Sequence, residues 1–394
     1  MQNTGNASPA SGSFFTDPRK RAWLFQIVAV VIVVAIGWFL FNNTQTNLQH
    51  RGITSGFGFL QNSAGFGISQ HLIDYTESDT YSRVFLVGLL NTLLVSALGI
   101  VLATIIGFTL GVARLSPNWL IRRLAGVYIE TIRNIPPLLQ IFFWYFAVLS
   151  PLPGPRQSLE LGEVFFVNNR GLYMPAPVAA PGMWPFWIAL LVAVVGSVLL
   201  RRWARARQHL TGLPFPVLWC SLGLLILLPG LTVVISGVPF DWDMPVLQGF
   251  NFRGGWVVIP ELISIVMALS LYTAAFIGET VRSGIQSVSH GQTEAASSLG
   301  LRPGLTLRLV IIPQALRVII PPLTSQYLNL VKNSSLAAAI GYPEMVSLFA
   351  GTVLNQTGQA IETMMITMSV YLAISISISV LMNVYNKRIA LIER

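Results

Sequence analysis

The chain has 394 residues, 53% of them hydrophobic and only 10% charged, so most of it should face lipid or the interior of a helix bundle. Its single cysteine, Cys220, excludes an internal disulfide and a cysteine-rich metal site, and its four scattered histidines lack the spacing of metal ligands. The formal net charge of +9 comes with arginine clusters between apolar segments, a pattern typical of membrane orientation rather than of nucleic-acid binding.

The apolar segments predict a multi-pass membrane protein. Residues 1–22 are expected to form an N-terminal tail, and the next segment lacks the cleavage site of a signal peptide. A helix that crosses the hydrocarbon core needs about 20 mostly apolar residues. Seven segments have this character: Trp23–Phe41, Val84–Val112, Val127–Leu149, Met183–Leu200, Val217–Ile235, Trp256–Ile277 and Met364–Val384. An eighth segment, Leu316–Ile340, is weaker because Pro321, Pro322 and Lys332 interrupt it.

The basic clusters predict the orientation of these segments. Arginines and lysines concentrate at residues 19–21, 114–123, 201–207 and 387–388. If these clusters lie inside, both termini are cytoplasmic, as the positive-inside rule requires. Two cytoplasmic ends need an even number of crossings, so Leu316–Ile340 is expected to be a true span and the total to be eight. The loops 42–83, 150–182 and 236–255 then lie outside.

A short polar stretch, residues 291–300, interrupts the apolar sequence after the sixth predicted span. His290 and Gly291 are expected to precede a short helix, with Glu294 in its first turn, where a carboxylate favours the positive end of the helix. Ala295 and Ala296 give this helix a low-profile face. Gly300 and Pro303 should end it, and a second helix is expected at about Leu305–Leu316.

Four motifs in order give the chain a family resemblance. Residues 130–140 match the pattern Glu-x-x-Arg-x-x-Pro-x-Leu-x-Gln, and residues 274–288 carry a Gly-Glu-Thr-Val-Arg-Ser-Gly run. The Glu-Ala-Ala segment at 294–296 continues into Pro313-Gln314-Ala315, and a Lys-Asn-Ser-Ser-Leu run follows at 332–336. From Val84 onward the chain thus resembles the permease subunits of type I ABC importers, in the polar amino acid branch. The long outside loops and the extra helices resemble the larger permeases of general L-amino acid transport systems.

The resemblance implies an all-α membrane fold of about eight transmembrane helices. A MetI-like core of five helices is expected in two parts, residues 84–150 and 256–390, the second including a cytoplasmic coupling loop at 283–312. One extra helix (23–41) precedes the core, followed by a periplasmic loop (42–83). An insertion, residues 151–255, carries two more helices, for which the sequence suggests only peripheral packing.

The resemblance also implies partners. The polar stretch would contact an ATPase subunit through Gly291, Glu294, Ala295, Ala296, Leu299 and Gly300, although an ordinary connector between two spans would look similar. Two ATPase subunits inside, a second permease subunit in a heterodimer, and a periplasmic amino acid-binding protein outside complete the expected assembly in the bacterial inner membrane. No cofactor is expected in this chain, because ATP would be bound by the partner subunit.

Charged residues in the apolar spans are candidates for the substrate path, because a charge at mid-bilayer is costly and usually faces a cavity or a partner. Glu279 could meet an α-ammonium group and Lys332 an α-carboxylate, and the pair Glu130 and Arg133 is a further candidate. The alternative is structural: Glu130 with Arg133, and Glu279 with Arg282, lie three residues apart and could form ion pairs.

Glycines and prolines in the spans suggest packing and bending. Gly107 and Gly111 form a Gly-x-x-x-Gly face, which Gly88 and Gly99 extend, and such faces let helices approach closely. Pro136-Pro137 and Pro321-Pro322 are expected to break two spans, either as simple kinks or as part of a translocation path.

Missing motifs exclude several enzyme classes. None of the three lysines stands in a phosphate-binding Gly-x-x-x-x-Gly-Lys-Ser/Thr loop, and the sequence has no Gly-x-Ser-x-Gly, His-Glu-x-x-His or paired acidic motif. The chain is therefore expected to be a non-catalytic subunit. An ion-gradient-driven secondary transporter remains the alternative, although the paired repeats usual in that class are not visible. A scaffolding membrane protein would explain the spans but not the polar stretch.

Overall fold

The computed structural model describes residues 18–50, 56–162, 164–178, 184–213, 215–236 and 241–389. Most of the predicted tail, residues 1–17, lies outside the described residues. The α-helices are α1 (Pro18–His50), α2 (Tyr81–Arg114), α3 (Trp119–Asn134), α4 (Pro137–Phe142), α5 (Trp184–Thr211), α6 (Val217–Ser236), α7 (Pro260–Gln286), α8 (His290–Ser298), α9 (Pro303–Thr306), α10 (Ile312–Asn333), α11 (Leu354–Thr357) and α12 (Ala360–Ile389).

Shorter helical segments continue several of these helices. Wider π-type turns occupy Phe143–Leu149, Leu307–Ile311 and Val346–Val353, and 3-10 turns occupy Phe57–Gln61, Pro155–Gln157 and Ser334–Ile340. As a result, Pro303–Ile340 is one continuous helical segment.

Seven helices of the described chain are long and apolar enough to cross a membrane, and the number rises to eight if one bent pair counts as a span. The bent pair is Trp119–Asn134 with Pro137–Leu149, which meet at 106°. The predicted break of the span Val127–Leu149 at Pro136-Pro137 is therefore confirmed, because the chain turns sharply there. The weak Leu316–Ile340 segment does lie in a long apolar helix.

The second expected break is absent. Pro321 and Pro322 both lie inside α10, which continues through them to Asn333. Each proline removes a backbone donor, but here the helix tolerates the loss, as helices in membranes often do. The prediction that this pair breaks a span was wrong.

The chain divides into two compact units, the first formed by residues 1–89 and 345–372. In this unit, the backbone N–H of Gly56 donates to Glu362 Oε1 at 2.6 Å, and the Tyr81 hydroxyl donates to Gln356 Oε1 at 2.8 Å. The described part of the loop before α2 is thus tied to the helical segments near the end of the chain. Helix α1 buries none of its apolar window, as a lipid-facing helix would.

The second unit comprises residues 90–344 and 373–394 and has α7 at its centre. Two-thirds of the apolar window of α7 is buried, including Ile265, Leu269 and Ile277. Gly107 and Gly111 of α2 face α7: a Cβ on Gly107 would lie 2.6 Å from Ile277 Cβ, and one on Gly111 would lie 2.6 Å from Val281 Cβ. The predicted packing role of these two glycines is confirmed.

The predicted insertion, residues 151–255, contains β-strands in addition to its two helices. A four-stranded antiparallel sheet has the order β1 (Leu159–Leu161), β2 (Phe165–Asn168), β3 (Gly171–Met174), β8 (Trp256–Val258). Two further antiparallel pairs join β4 (Ala176–Val178) to β5 (Asp241–Asp243) and β6 (Val246–Gln248) to β7 (Asn251–Arg253). Trp256 therefore lies in a strand, and the expected span Trp256–Ile277 begins only at Pro260.

The two inserted helices form an antiparallel pair through small residues. Ala189, Ala193 and Ala204 of α5 are buried, and a Cβ on Gly196 would lie 2.8 Å from Leu224 Cδ2 of α6. Small residues let helices approach closely in lipid, where apolar attraction between helices is weak. Most other large side chains of this pair are exposed, as expected for contact with acyl chains.

Candidate functional site

The polar stretch forms a short helix, α8, followed by a glycine turn. The helix begins at His290, so Gly291 lies inside it rather than before it. Glu294 consequently lies in the second turn, and the expectation that it occupies the first turn was wrong. Instead of capping the helix, its Oε1 lies 3.0 Å from Nδ1 of His290, one turn earlier.

The outer face of α8 is exposed while one residue anchors it. The side chains of His290 and Glu294 are 84% and 71% exposed, and Leu299 at the C-terminal end is also exposed. Ala296, in contrast, is buried. The helix thus presents a polar, low-profile surface with an exposed leucine beside it, a form suited to insertion into a partner's groove.

Helix α8 is joined to the long segment that follows it. Gln314 Nε2 of α10 donates to Gln292 Oε1 at 3.1 Å. The expected second helix does not end near Leu316, because Pro303–Ile340 runs on as one helical segment. Helix α8 is therefore hydrogen-bonded to a long apolar segment of the chain.

The first candidate pair of the substrate path is not formed as predicted. Arg114 Nη2 lies 3.1 Å from Glu130 Oε1, so Glu130 pairs with α2 rather than with Arg133. The guanidinium of Arg133 lies instead over the ring of Phe276, 4.9 Å from its centroid. Tertiary contacts replace the local pair that the three-residue spacing suggested.

The second candidate pair is formed. Arg282 Nε donates to both carboxylate oxygens of Glu279 at 3.1 Å, and Arg282 Nη1 also bonds to Gln286. The side chains of Glu279 and Arg282 are each 27% exposed. The structural alternative for Glu279 is therefore present in the molecule, while its role toward a substrate stays a prediction.

Lys332 lies one residue before the end of α10 and its side chain is exposed. Its backbone carbonyl accepts the hydroxyl of Ser335 at 2.7 Å, which helps to start the 3-10 turn that follows. The role of Lys332 toward an α-carboxylate stays a prediction.

The break between α3 and α4 has a specific stabilising residue. The buried Gln140 donates its Nε2 to the carbonyls of Ile132 and Ile135, both at 3.0 Å. Pro136 and Pro137 cannot donate backbone hydrogens, and a buried unpaired carbonyl is costly. The last residue of the Glu130–Gln140 motif thus stabilises the bend, a role that the motif pattern alone did not reveal.

A polar cluster after α10 was missed. Asn91 is fully buried in α2, and its Nδ2 donates to the carbonyl of Pro343 at 2.8 Å. Glu344, the residue after Pro343, is also fully buried. Residues 341–344 belong to none of the predicted spans, so the search for intramembrane charge did not reach this carboxylate. The adjacent polar residues Asn91 and Thr92, in the otherwise apolar predicted span Val84–Val112, were the available signal.

In the part of the chain that the structure describes, no three His, Cys, Asp or Glu residues are grouped so that they could hold a metal ion.

Comparison with known proteins agrees with this picture. Residues 212–391 match the family described as the binding-protein-dependent transport system inner membrane component. The chain is 63% identical to YhdX of Escherichia coli K12, a protein named as an amino-acid ABC transporter permease, over 98% of this chain and 99% of that protein.

Two further relatives cover nearly the whole chain. The general L-amino acid transport system permease AapQ of Rhizobium johnstonii is 53% identical over 96% of this chain and 94% of its own length. The glutamate/glutamine/aspartate/asparagine permease BztB of Rhodobacter capsulatus is 44% identical over 96% of each chain. The protein is thus a multi-pass membrane protein, and it belongs to the polar amino acid family of ABC transporter permeases, with the MetI-like helical fold of that family.

Proposed function

We propose that this chain is the transmembrane permease subunit of an ATP-driven importer of amino acids. Separate ATPase subunits, two per assembly, would drive it, a second permease subunit would form a heterodimer with it, and a periplasmic binding protein would deliver the substrate. The observation that carries this proposal is α8, an exposed polar helix attached to a long apolar segment through Gln292 and Gln314.

The topology proposed here has eight crossings, with both ends in the cytoplasm of a bacterial cell and the protein in the inner membrane. The bent pair α3 and α4 counts as one crossing, because basic residues precede it at 114–123 and follow the next span at 201–207. This orientation puts α8 on the cytoplasmic side, where ATP is available.

The proposed mechanism is mechanical. ATP binding would close the ATPase pair around α8, whose exposed contact residues are Gly291, Glu294, Ala295, Leu299 and Gly300; the predicted contact residue Ala296 is buried and would instead anchor the helix. Movement of α8 would tilt Pro303–Ile340 and turn an inward-facing cavity outward. The chain would contribute different contacts in two states rather than bond breaking, and would hold no cofactor itself, since ATP would bind to the partner.

The proposed cargo is polar or broad-range L-amino acids. The names of AapQ and BztB describe such cargo for those two relatives. Glu279, Lys332, Glu130 and Arg133 remain the candidate contacts along the path. A carboxylate suits an α-ammonium group and a cation suits an α-carboxylate, and both are groups that every amino acid carries.

The decisive experiment is charge reversal on α8. Glu294→Lys should abolish uptake of labelled amino acids by cells while the amount of protein in the membrane stays near normal. Glu160→Lys, the same change at an exposed strand position, is the matched control and should leave uptake intact. Loss of the Glu294→Lys protein from the membrane would instead assign Glu294 to folding. Uptake in vesicles that survives ATP depletion but stops with an uncoupler would favour a secondary transporter.

A further inference from the structure

A basic cavity lies where three helices of the second unit meet. It has a volume of about 370 Å³ and is formed by the last residue of α2, residues 119–130 of α3 and the end of α7. Four guanidinium groups and one carboxylate line it, from Arg114, Arg122, Arg123, Arg282 and Glu130. The transport mechanism proposed above assigns no role to this cavity.

Two of these arginines are already compensated. Glu130 pairs with Arg114 at 3.1 Å, and Glu279 binds Arg282 through both of its oxygens. Arg122 and Arg123 are exposed, and neither has an ion-pair partner among the residues the structure describes. Arg122 Nη1 donates only to the carbonyl of Ser116, at 3.1 Å. The cavity therefore keeps uncompensated positive charge.

The chemistry of that charge favours a phosphate group. A guanidinium presents a planar fork of donors that matches the oxygens of phosphate, often two bonds at a time. Adjacent guanidiniums beside a cavity of this size would accept one phosphodiester without burying an unpaired charge. Both a lipid headgroup and a free phosphate ion carry such a group.

The depth of the cavity selects the lipid. Helices α2 and α7 have 34 and 27 residues, which correspond to about 51 and 40 Å of helix. Both exceed the hydrocarbon core of about 30 Å, so their ends are expected at the level of the headgroups. The cavity is bounded by the C-terminal ends of these two helices.

The surface of α3 beside the cavity is apolar. Trp119 is exposed on the lining itself, and Leu120, Leu124 and Val127 expose apolar side chains on the same helix. A helix that carries arginines together with exposed Trp and Leu is typical of the membrane interface. Acyl chains would cover this apolar surface, and a free phosphate ion would not.

We infer that this cavity binds the phosphate group of an anionic phospholipid, held chiefly by Arg122 and Arg123, with its acyl chains along α3. Basic pockets between transmembrane helices are known to bind anionic headgroups in this way. The site does not require that the protein transport anything, so its failure and the failure of the proposed function are separately measurable.

The test is lipid retention by the purified full-length chain in detergent, measured by native mass spectrometry. The probes are phosphatidylglycerol and phosphatidylcholine in equal amounts, with inorganic phosphate as the soluble competitor. We expect the unmodified chain to retain phosphatidylglycerol preferentially. Arg122→Gln with Arg123→Gln should lower that retention about tenfold or more. Arg201→Gln with Arg202→Gln, an equal loss of charge from α5, should leave it unchanged.

Three results would overturn the inference. Equal retention by the Arg122/Arg123 double variant would exclude the site, and an equal loss in the Arg201/Arg202 control would show only a general effect of charge. Displacement of phosphatidylglycerol by inorganic phosphate would assign the cavity to a soluble anion. If the double variant does not fold, Arg123→Gln alone serves the same purpose, with an expected loss of about fivefold.

Discussion

The backbone N–H of Leu301 donates to the carbonyl oxygen of Ala296 at 3.1 Å, closing the C-terminal end of α8. The N–H of Gly300 donates to Ser297 at 2.9 Å inside the same turn. Gly300 has a φ of +73°, in the left-handed region that glycine adopts without steric cost. These bonds fix the angle between α8 and the helical segment that follows it, Pro303–Ile340.

Gly300→Pro should abolish uptake while the protein remains in the membrane at a near-normal level. Proline fixes φ near −65° and has no N–H, so it can neither adopt this turn nor make the bond to Ser297. Gly300→Ala should have a partial effect, because a side chain in the left-handed region costs about 1–2 kcal/mol. Uptake of labelled amino acids, normalised to membrane protein by immunoblot, measures both.

Gly304→Ala is the matched control for the two variants at Gly300. Its added Cβ would meet no atom within 4 Å, and its backbone is not in the left-handed region. Uptake should therefore stay near that of the unmodified chain. Equal losses at positions 300 and 304 would refute a specific role for the turn.

Gly107→Leu should destabilise the packing of α2 on α7. The first added carbon already meets Ile277 Cβ at 2.6 Å, and overpacking of this kind costs about 1–3 kcal/mol. The thermal unfolding midpoint of the purified protein should fall. Gly223→Leu in α6, where an added Cβ meets nothing within 4 Å, should leave the midpoint nearly unchanged. Similar midpoints for the two variants would contradict this packing.

Gln140→Leu should destabilise the bend between α3 and α4 strongly. It leaves the carbonyl of Ile135 without its donor and that of Ile132 with only the 3.4 Å bond from the Ile135 N–H, and an unsatisfied buried group costs about 1–3 kcal/mol. The midpoint of thermal unfolding checks this, with Gln157→Leu, at an exposed position, as control. A midpoint like that of the unmodified chain would mean that other groups satisfy these carbonyls.

The pair Glu279 and Arg282 should behave as a coupled unit in a double-mutant cycle. Each single change to glutamine leaves one charge unpaired, so the double variant should lose less stability than the two single changes together. The expected coupling is about 0.5–1 kcal/mol, measured by thermal unfolding. If Glu279→Gln raised the KM for uptake without affecting stability, the carboxylate would instead belong to the substrate path.

The sequence predicted the long helices well, since a run of apolar residues is a strong and local signal. The β-strands were missed because each has only three or four residues, fewer than a search for 20-residue spans can detect. The weak segment ending at Ile340 was predicted by counting crossings, where hydropathy alone was ambiguous, and it lies in a helix long and apolar enough to span a membrane.

The wrong prediction for Glu130 has a physical cause. Spacing along a helix predicted that Glu130 would pair with Arg133, but the structure brings Arg114 from another helix to within 3.1 Å. Spacing alone cannot reveal a partner that only the fold brings near. The pair Glu279 and Arg282 was predicted correctly because both partners lie on one helix, three residues apart.

The continuity of Pro303–Ile340 has a consequence for the size of any movement. A segment of 38 residues is a rod of about 57 Å, so a tilt of about 5° at the end near α8 would shift its far end by about 5 Å. That displacement is comparable to the width of an amino acid backbone. A small rotation imposed at one side of the bilayer would therefore suffice to open or close a passage at the other, with no helix having to unwind.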